Sequence, residues 1–416
     1  MKDESVAPAK LLGWGLVITG CILGISFFDS RTHARVFVGC TALAAIAYLR
    51  TLWLLRFARG SARALALCLI LAALWRVPLL LSPSTLSTDV YRYVWDGRIQ
   101  RLGYDPYIVV PSDSAVRHLH TAETLLMNHP DFPTPYPAVA ELFFRAVAMV
   151  DDSARGMKSA IVLCDAALVA VLLWWLSVSD RSPWWVLAYA WNPLAALEGA
   201  GNGHVDLLGT LLLVLTAAAL ARGRRMVAAI AFALAIGVKF LPVILVPLFW
   251  RRIRLRDAAL GVAILAALYL PFLGHGRLPL GSLGGYLARW RVNAPVYSGL
   301  EWLIPMKGLV AVPVVAGLAV ALWARWDMAL DSPEAWAWPV ATTLLFAPTI
   351  FPWYLVWVIP FLSTPRALPL AVWSVSSLAI YWPLPEWAAM MFEYGSVLCV
   401  VGWMLVQSMG AQEDRR

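Results

Sequence analysis

Apolar runs of about twenty residues recur along the whole chain, each closed by a short polar or arginine-bearing stretch. Twenty residues is about the length a helix needs to cross the hydrocarbon core of a bilayer. Such runs lie at 11–28, 36–55, 62–81, 158–178, 183–199, 203–221, 257–273, 308–326, 367–382 and 388–408. Two further apolar segments, 226–250 and 335–363, are interrupted, the first near Lys239 and Pro242, the second between Pro348 and Pro352. A proline inside a helix removes a hydrogen bond and clashes with the preceding turn. Both segments are therefore expected to be hairpins of two shorter helices; single tilted, kinked spans are the alternative. The pattern predicts an all-α, polytopic integral membrane protein with about 12–14 transmembrane or half-spanning helices.

The longest polar interval, 82–157, breaks this rhythm. It predicts a helix over 89–101, with Ser87 or Thr88 as N-cap and Gly103 with Asp105-Pro106 as the stop, and a second helical piece over 135–149. Its aromatic content argues against disorder and for amphipathic helices lying on the bilayer. On the 89–101 helix, Asp89, Arg92, Tyr93 and Asp96 share one face. The expected organisation is three N-terminal helices in 1–81 and a loop carrying chemistry in 82–157. A core in 158–273, a second polar loop in 274–307 and C-terminal helices in 308–416 complete it.

Composition agrees with the pattern. Sixty-one per cent of residues are hydrophobic and only 14% charged, against about 25% charged in soluble domains. Mean hydropathy is +0.71. The five cysteines have no paired spacing, which excludes a disulfide framework or a thiolate metal site. The +8 net charge comes from arginines clustered between apolar runs, a topology signal and not a nucleic-acid footprint. Arg56, Arg59 and Arg63 place the second loop in the cytoplasm. The N-terminus is then inside, without a small-residue cleavage site behind the first run, and 82–157 lies outside. The same count of spans puts Arg222, Arg224 and Arg225 inside, and hairpins at the two broken segments also keep Arg251, Arg252, Arg254, Arg256, Arg366 and the C-terminus inside. All six histidines (His33, His118, His120, His129, His204 and His275) then face outward.

Four groups of residues are candidates for chemistry. Asp89 opens a helix, where the dipole favours its ionised form; a plain helix cap is the structural alternative. Glu198, Asn202, His204 and Asp206 crowd between two apolar runs, where ionisable groups are costly and usually functional; a glycine-rich solvated turn is the alternative. Lys239 lies deep in apolar sequence and wants an anion, either a phosphate at a helix end or an intramembrane carboxylate. Phe351, Trp353, Tyr354 and Trp357 suit a sugar face or an isoprenoid tail, and equally an interfacial aromatic belt. His129, Arg289, Arg291, Asn293, Tyr297 and Glu301 are further polar groups in the loops.

These motifs resemble the GT-C class of membrane glycosyltransferases, and more closely the bacterial polyprenol-phosphate-mannose-dependent mannosyltransferases. The residues that carry the resemblance are Thr88 to Arg98 (Thr-Asp-Val-Tyr-Arg-Tyr-Val-Trp-Asp-Gly-Arg) with Gly103 to Tyr107, His129 to Asp131 with Tyr136-Pro137, and Gly201 to Asp206. Lys239 to Pro242 and Phe351 to Tyr354 complete the series, in the family's order, over roughly 85–360. Phe351 stands where relatives often have His, and Val205-Asp206 where they often have Asn-Asp. Two apolar spans also precede the one that leads into the Asp89 loop.

The resemblance implies an inverting transfer of a sugar, mannose foremost, from a polyprenyl-phosphate carrier to a hydroxyl of a glycolipid or envelope glycan. The active site would face the exterior of a bacterial plasma membrane, with Asp89 as general base. Lys239, His204, Arg92, Arg289 and Arg291 are the candidates for donor phosphate. Asp96, His129, Asn202, Asp206, Trp353 and Tyr354 are those for acceptor or sugar. No cofactor or metal is called for, although a divalent cation stays open, and no nucleic-acid partner is expected. A transporter or flippase for a lipid-linked or polar substrate is the alternative, and a non-catalytic envelope scaffold a third. The first would spread buried charges across both leaflets; here they crowd one side.

Overall fold

The computed structural model of the protein describes residues 8–28, 32–58, 60–274, 276 and 278–413. Helices α1 (Pro8–Phe27), α2 (Ala34–Leu55) and α3 (Ala62–Leu81) make the first three passes between the two ends of a helical bundle. The chain leaves the bundle to form α4 (Asp89–Arg101) and α5 (Ala138–Ala148), and re-enters it with α6 (Ala154–Val178). An irregular pass follows through α7 (Leu187–Ala190) and α8 (Pro193–Ala196), then α9 (Asp206–Ala221), α10 (Arg225–Val238) and α11 (Leu255–Tyr269). A second excursion carries α12 (Leu283–Arg289), α13 (Pro295–Leu300) and α14 (Met306–Leu309). The last passes are α15 (Val312–Asp327), α16 (Pro333–Leu345), α17 (Leu368–Ser376) and α18 (Glu386–Glu413). Among the described residues, six helices are long and apolar enough to cross a membrane: α1, α2, α3, α6, α11 with its extension to Phe272, and α18. The protein is an all-α, multi-pass membrane protein.

Lipid tails are as apolar as leucine, so helices in a bilayer associate through close packing, which small residues allow. The centre of the bundle follows that rule. Ala217, Ala218 and Ala219 of α9 are buried, as are Ala228, Ala231 and Ala235 of α10. The lipid-facing surface looks different: on α18, Met391, Leu398, Val406 and Met409 are all more than 60% exposed.

The two interrupted segments turn at the same end of the bundle. Helix α10 stops at Val238, Lys239 is extended, and residues 241–249 continue as tight 3₁₀ turns around Pro242 and Pro247. At the far end of those turns the Trp250 carbonyl accepts from Arg325 Nε (2.9 Å), beside the end of α15. The segment therefore goes to Lys239 and comes back. The second segment does likewise. Helix α16 ends at Leu345 and 3₁₀ turns resume at Pro352. Thr364 Oγ1, beyond the return, donates to Glu334 Oε1 at the start of α16 (2.6 Å). Lys239 and residues 346–352 thus sit at one end of the bundle, and Arg222–Arg225, Arg251–Arg256 and Arg366 at the other. Of the histidines, all but His275 lie at the Lys239 end; His275 is outside the described residues, as is Arg59.

The 183–199 run is not the single spanning helix that its hydropathy predicts. Asn192 Oδ1 accepts from the backbone of Leu194 and Ala195 (2.9 and 3.3 Å) and Pro193 begins a new turn, so the chain restarts there.

Helix α4 departs from expectation more sharply. Ten of its thirteen residues are buried, so it does not lie on the bilayer as an amphipathic surface helix. Most of its polar side chains bond inside the protein. Arg92 pairs with Asp96 (2.9 Å) and donates to the Phe132 carbonyl (2.9 Å), while Gln100 donates to Glu141 Oε2 (2.8 Å) and Thr134 to Glu141 Oε1 (2.6 Å). Burial, with Asp96 alongside, pushes the Glu141 carboxyl well above the usual range. Arg98 and Arg101 both reach Asp152.

Gly97 is what lets α4 touch α5, since a Cβ there would stand 2.4 Å from the Phe144 carbonyl oxygen. Replacing Gly97 by Ala is expected to destabilise the protein by about 1–3 kcal/mol through overpacking. Thermal unfolding of the detergent-purified protein, beside an exposed-site control such as Leu102→Ala, would show it. An unchanged melting temperature would mean that α5 yields freely.

Candidate active site

The burial of α4 fixes where its first residue lies. Asp89 follows Thr88, whose side chain makes no capping bond, and the Ser87 hydroxyl instead accepts from the Asp89 amide (3.3 Å). The Asp89 carboxylate is therefore free to point away from its own helix. Its Oδ1 accepts from Asn128 Nδ2 (2.9 Å), and its Oδ2 lies 3.8 Å from His204 Nδ1. The side chain is 15% exposed. Burial pushes its carboxyl above the usual range, while the Asn128 hydrogen bond and the charge of Lys239 hold it down. His129, next to Asn128, has φ of 50°, a strained conformation for a side chain with a Cβ. Its ring packs edge-on against Trp290, with centroids 4.2 Å apart.

His204 arrives from a distorted turn. Residues 197–201 form one wide helical turn in which the Asn202 amide donates to the Leu197 carbonyl, five residues back (2.9 Å). Such π-type turns are rare and frequent at functional sites. Gly203 then takes φ of +71°, and a Cβ at that position would come within 2.9 Å of Lys158, so only glycine fits without strain. The result is a fully buried imidazole. Trp353 stacks on it at 4.1 Å, and Phe351 stacks on Trp353 at 4.4 Å. Nδ1 is 3.5 Å from the Tyr93 hydroxyl. Nε2 is 3.3 Å from Glu198 Oε2, but misaligned, and makes no hydrogen bond. Glu198 is itself held by Asn202 Nδ2 and the Tyr381 hydroxyl, both at 2.8 Å.

The third element is an ion pair that helix geometry favours. Asp206 opens α9 and Lys239 follows the last residue of the antiparallel α10, so acid meets a helix N-terminus and base a C-terminus. Lys239 Nζ and Trp357 Nε1 both donate to Asp206 Oδ1 at 2.7 Å. The ammonium also lies 3.6 Å from the centroid of the Tyr354 ring, whose hydroxyl meets that of Tyr286 at 2.5 Å. Asp206 is 2% exposed in its side chain and Lys239 25%. The intramembrane carboxylate is thus Lys239's partner, and two of its three ammonium protons remain for another anion.

Of the residues expected to act, the structure gathers Asp89, His204, Asp206, Lys239, Trp353, Tyr354 and Asn202, with His129 at the edge through Trp290. Others are occupied elsewhere. Arg92 pairs with the fully buried Asp96 and helps to hold α4, although Arg92 Nη2 is buried with no hydrogen-bond partner. Arg291 is tied to Glu301 (2.8 Å) and stacks on Tyr297. Arg289 is exposed at the end of α12. His204 is enclosed between two carboxyl groups, those of Asp89 and Glu198. Asp206 and Asn202 each serve a neighbour, Lys239 and Glu198.

Asn128, Tyr136, Tyr286, Trp357 and Tyr381 also belong here. Asn128 stands beside His129 in a motif already singled out, and Trp357 is one turn beyond Tyr354. Tyr286 and Tyr381 carry no local signal; they come from segments far away in sequence. Among the described residues, no group of three or more His, Cys, Asp or Glu side chains could hold a metal ion.

A family model described as alpha-(1->6)-mannopyranosyltransferase, N-terminal domain, matches residues 10–253. That range contains Asp89, Glu198, His204, Asp206 and Lys239, and ends before Tyr286, Trp353 and Tyr381. The chain is also similar to alpha-(1->6)-mannopyranosyltransferase A of Mycobacterium tuberculosis, with 24% identity over 328 residues. The match covers 68% of this chain and 62% of that relative's length.

Proposed function

Because the chain belongs to the alpha-(1->6)-mannopyranosyltransferase family, we propose that it transfers mannose from a polyprenyl-phosphate carrier to a hydroxyl of a glycolipid or envelope glycan. The observation that carries this proposal is Asp89. It is a carboxylate at a helix start, fixed through one oxygen by Asn128, with its other oxygen free of hydrogen bonds and directed toward a buried imidazole.

Inverting transfer needs one base. Asp89 takes the proton of the acceptor hydroxyl as its oxygen bonds to the anomeric carbon. The bond from that carbon to the phosphate oxygen breaks, and its electron pair leaves with the lipid phosphate. No general acid is required, since a phosphate leaves well, but its charge needs donors. Lys239 supplies them, held in place by Asp206 and Trp357. A single base distinguishes this arrangement from the carboxylate pair of a glycosidase. Tyr354, Tyr286 and Trp290 offer ring faces for the sugar or the first isoprene units, while Trp353, stacked between His204 and Phe351, backs the imidazole. The reaction so drawn uses only the chain's own charges, without a cofactor.

Sidedness follows from charge. The arginine clusters crowd the end of the bundle opposite Asp89 and Lys239, and positive loops stay in the cytoplasm. The site therefore faces the exterior of the plasma membrane, with both termini cytoplasmic. The test is donor choice. Purified protein in liposomes should transfer radiolabel from polyprenyl-phosphate-mannose to membrane glycolipid, and none from nucleotide-linked mannose. The reverse preference would overturn the proposal.

The pH profile gives a second test. Asp89 must be ionised to act and burial raises its pKa, so kcat/KM should rise with pH along an acid limb above the ordinary carboxylate value of 3.8. Asn128→Ala removes a bond that favours the ionised form, so the limb should move to higher pH while the plateau changes less. A limb unmoved by Asn128→Ala would mean that another group is the base.

A further inference from the structure

Asp89 must lose the proton it takes before it can act again, and it is largely enclosed. The structure puts a second proton carrier directly behind it. His204 is completely buried, with Nδ1 3.8 Å from Asp89 Oδ2 and Nε2 3.3 Å from Glu198 Oε2. Neither contact is a formed hydrogen bond, and Nε2 has no hydrogen-bond partner of any kind. A shift of roughly 1 Å would bring Nδ1 to bonding distance from Asp89. Trp353 stacks on the ring at an interplanar angle of 14°, which fixes the ring's plane while leaving movement within it. Glu198 is anchored at both oxygens, by Tyr381 and Asn202, so its carboxyl is fixed in position. Buried polar atoms are rarely left without partners. An imidazole that faces Glu198 with an unbonded Nε2, and Asp89 with an Nδ1 bonded only to the Tyr93 hydroxyl at 3.5 Å, suits a group that changes its protonation during turnover.

We propose that His204 stores the proton that Asp89 takes from the acceptor, and that Glu198 holds the charge of the resulting imidazolium. The proposal rests on the glycosyltransferase reading of the site. The step balances without any added reactant. The proton bound to Asp89 Oδ2 moves to the lone pair of His204 Nδ1, Asp89 becomes a carboxylate again, and Nε2–H turns toward Glu198 Oε2. The proton passes to water by the same path once product has left. Re-ionised Asp89 cannot return its proton to the new glycosidic oxygen, so transfer becomes harder to reverse. Glu198 is a positioning residue in this scheme, and never touches substrate.

The groups that face His204 and Glu198 are Asp89 and Tyr93 from α4, Asn202 at the end of the turn, Asp206 at the start of α9, Lys239 at the end of α10, Trp353, and Tyr381. Tyr93 is too weak an acid, and Lys239 too firmly bound to Asp206, to be the intended proton carrier.

Three variants in the polyprenyl-phosphate-mannose transfer assay test the proposal. Glu198→Gln keeps the size of the side chain and a partner for both Tyr381 and Asn202. It should lower kcat by about 100-fold with little change in donor KM. His204→Ala should be slow and be rescued by added imidazoles, with rates that follow the basicity of the added base. Rescue that follows size alone, or Glu198→Gln with wild-type kcat, would overturn the proton store while Asp89→Asn remained inactive. Transfer by Asp89→Asn at the wild-type rate would instead overturn the underlying reading of the site. Should His204→Ala fail to fold, Glu198→Gln decides alone.

Discussion

An Asp89→Asn protein should fold normally and transfer mannose about 10²–10⁴-fold more slowly at saturating donor, the usual range for losing a general base. Few substitutions separate chemistry from architecture so cleanly. Asparagine keeps the carbonyl oxygen that can accept from Asn128, and the Asp89 amide still reaches Ser87. The residues that hold α4 in place are elsewhere, in the Arg92–Asp96 pair, Gln100, Gly97 and the contacts of Arg98 and Arg101 with Asp152. What the amide lacks is a basic lone pair for the acceptor's proton. Donor KM should therefore change little, because the donor's phosphate is assigned to Lys239. The measurement is initial-rate transfer beside a melting curve. An active Asp89→Asn would move the base elsewhere.

The second large effect is expected at Lys239, and here chemistry and architecture are mixed. Lys239→Ala removes the cation assigned to the leaving phosphate, which should slow transfer by about 10²–10³-fold, as for loss of one oriented donor. It also leaves Asp206 almost wholly buried with only Trp357 as partner, and an unpaired buried charge costs on the order of 3 kcal/mol. A double variant separates the two. Lys239→Ala with Asp206→Asn should recover most of the melting temperature, because no charge is stranded, while transfer stays as slow as in the single variant. Recovery of activity along with stability would show that Lys239 serves the fold alone.

Much of this arrangement was legible in the chain. The helix over 89–101 announces itself through Ser87-Thr88 at its start and Gly103 at its end, and the two interruptions through Lys239 with Pro242 and through Pro348 with Pro352. Arginine clusters gave a path consistent with the one the helices take. Periodicity could not show that α4 is buried, because its polar residues look solvent-seeking until Arg92 meets Asp96 and Gln100 meets Glu141. For the same reason the Arg92–Asp96 pair could not be read from the chain. A charged residue on a helix reads the same whether its partner is substrate or the next turn. Tyr286 and Tyr381 were invisible for a different reason: each reaches the site from a distant segment, and only packing brings it there. The irregular pass at 183–201 hid behind continuous hydropathy, which does not register that Asn192 caps a new turn or that the chain widens around Glu198.

The central claim is a single displacement at the anomeric carbon with Asp89 as its only base, and product stereochemistry tests it most directly. Wild-type protein would be given polyprenyl-phosphate-mannose of one defined anomeric configuration, labelled with carbon-13 at the anomeric position. The one-bond carbon–hydrogen coupling of the new linkage would then be read by NMR. The account predicts the opposite configuration in the product. Retention of the donor's configuration would require two displacements or a different mechanism, and would contradict it.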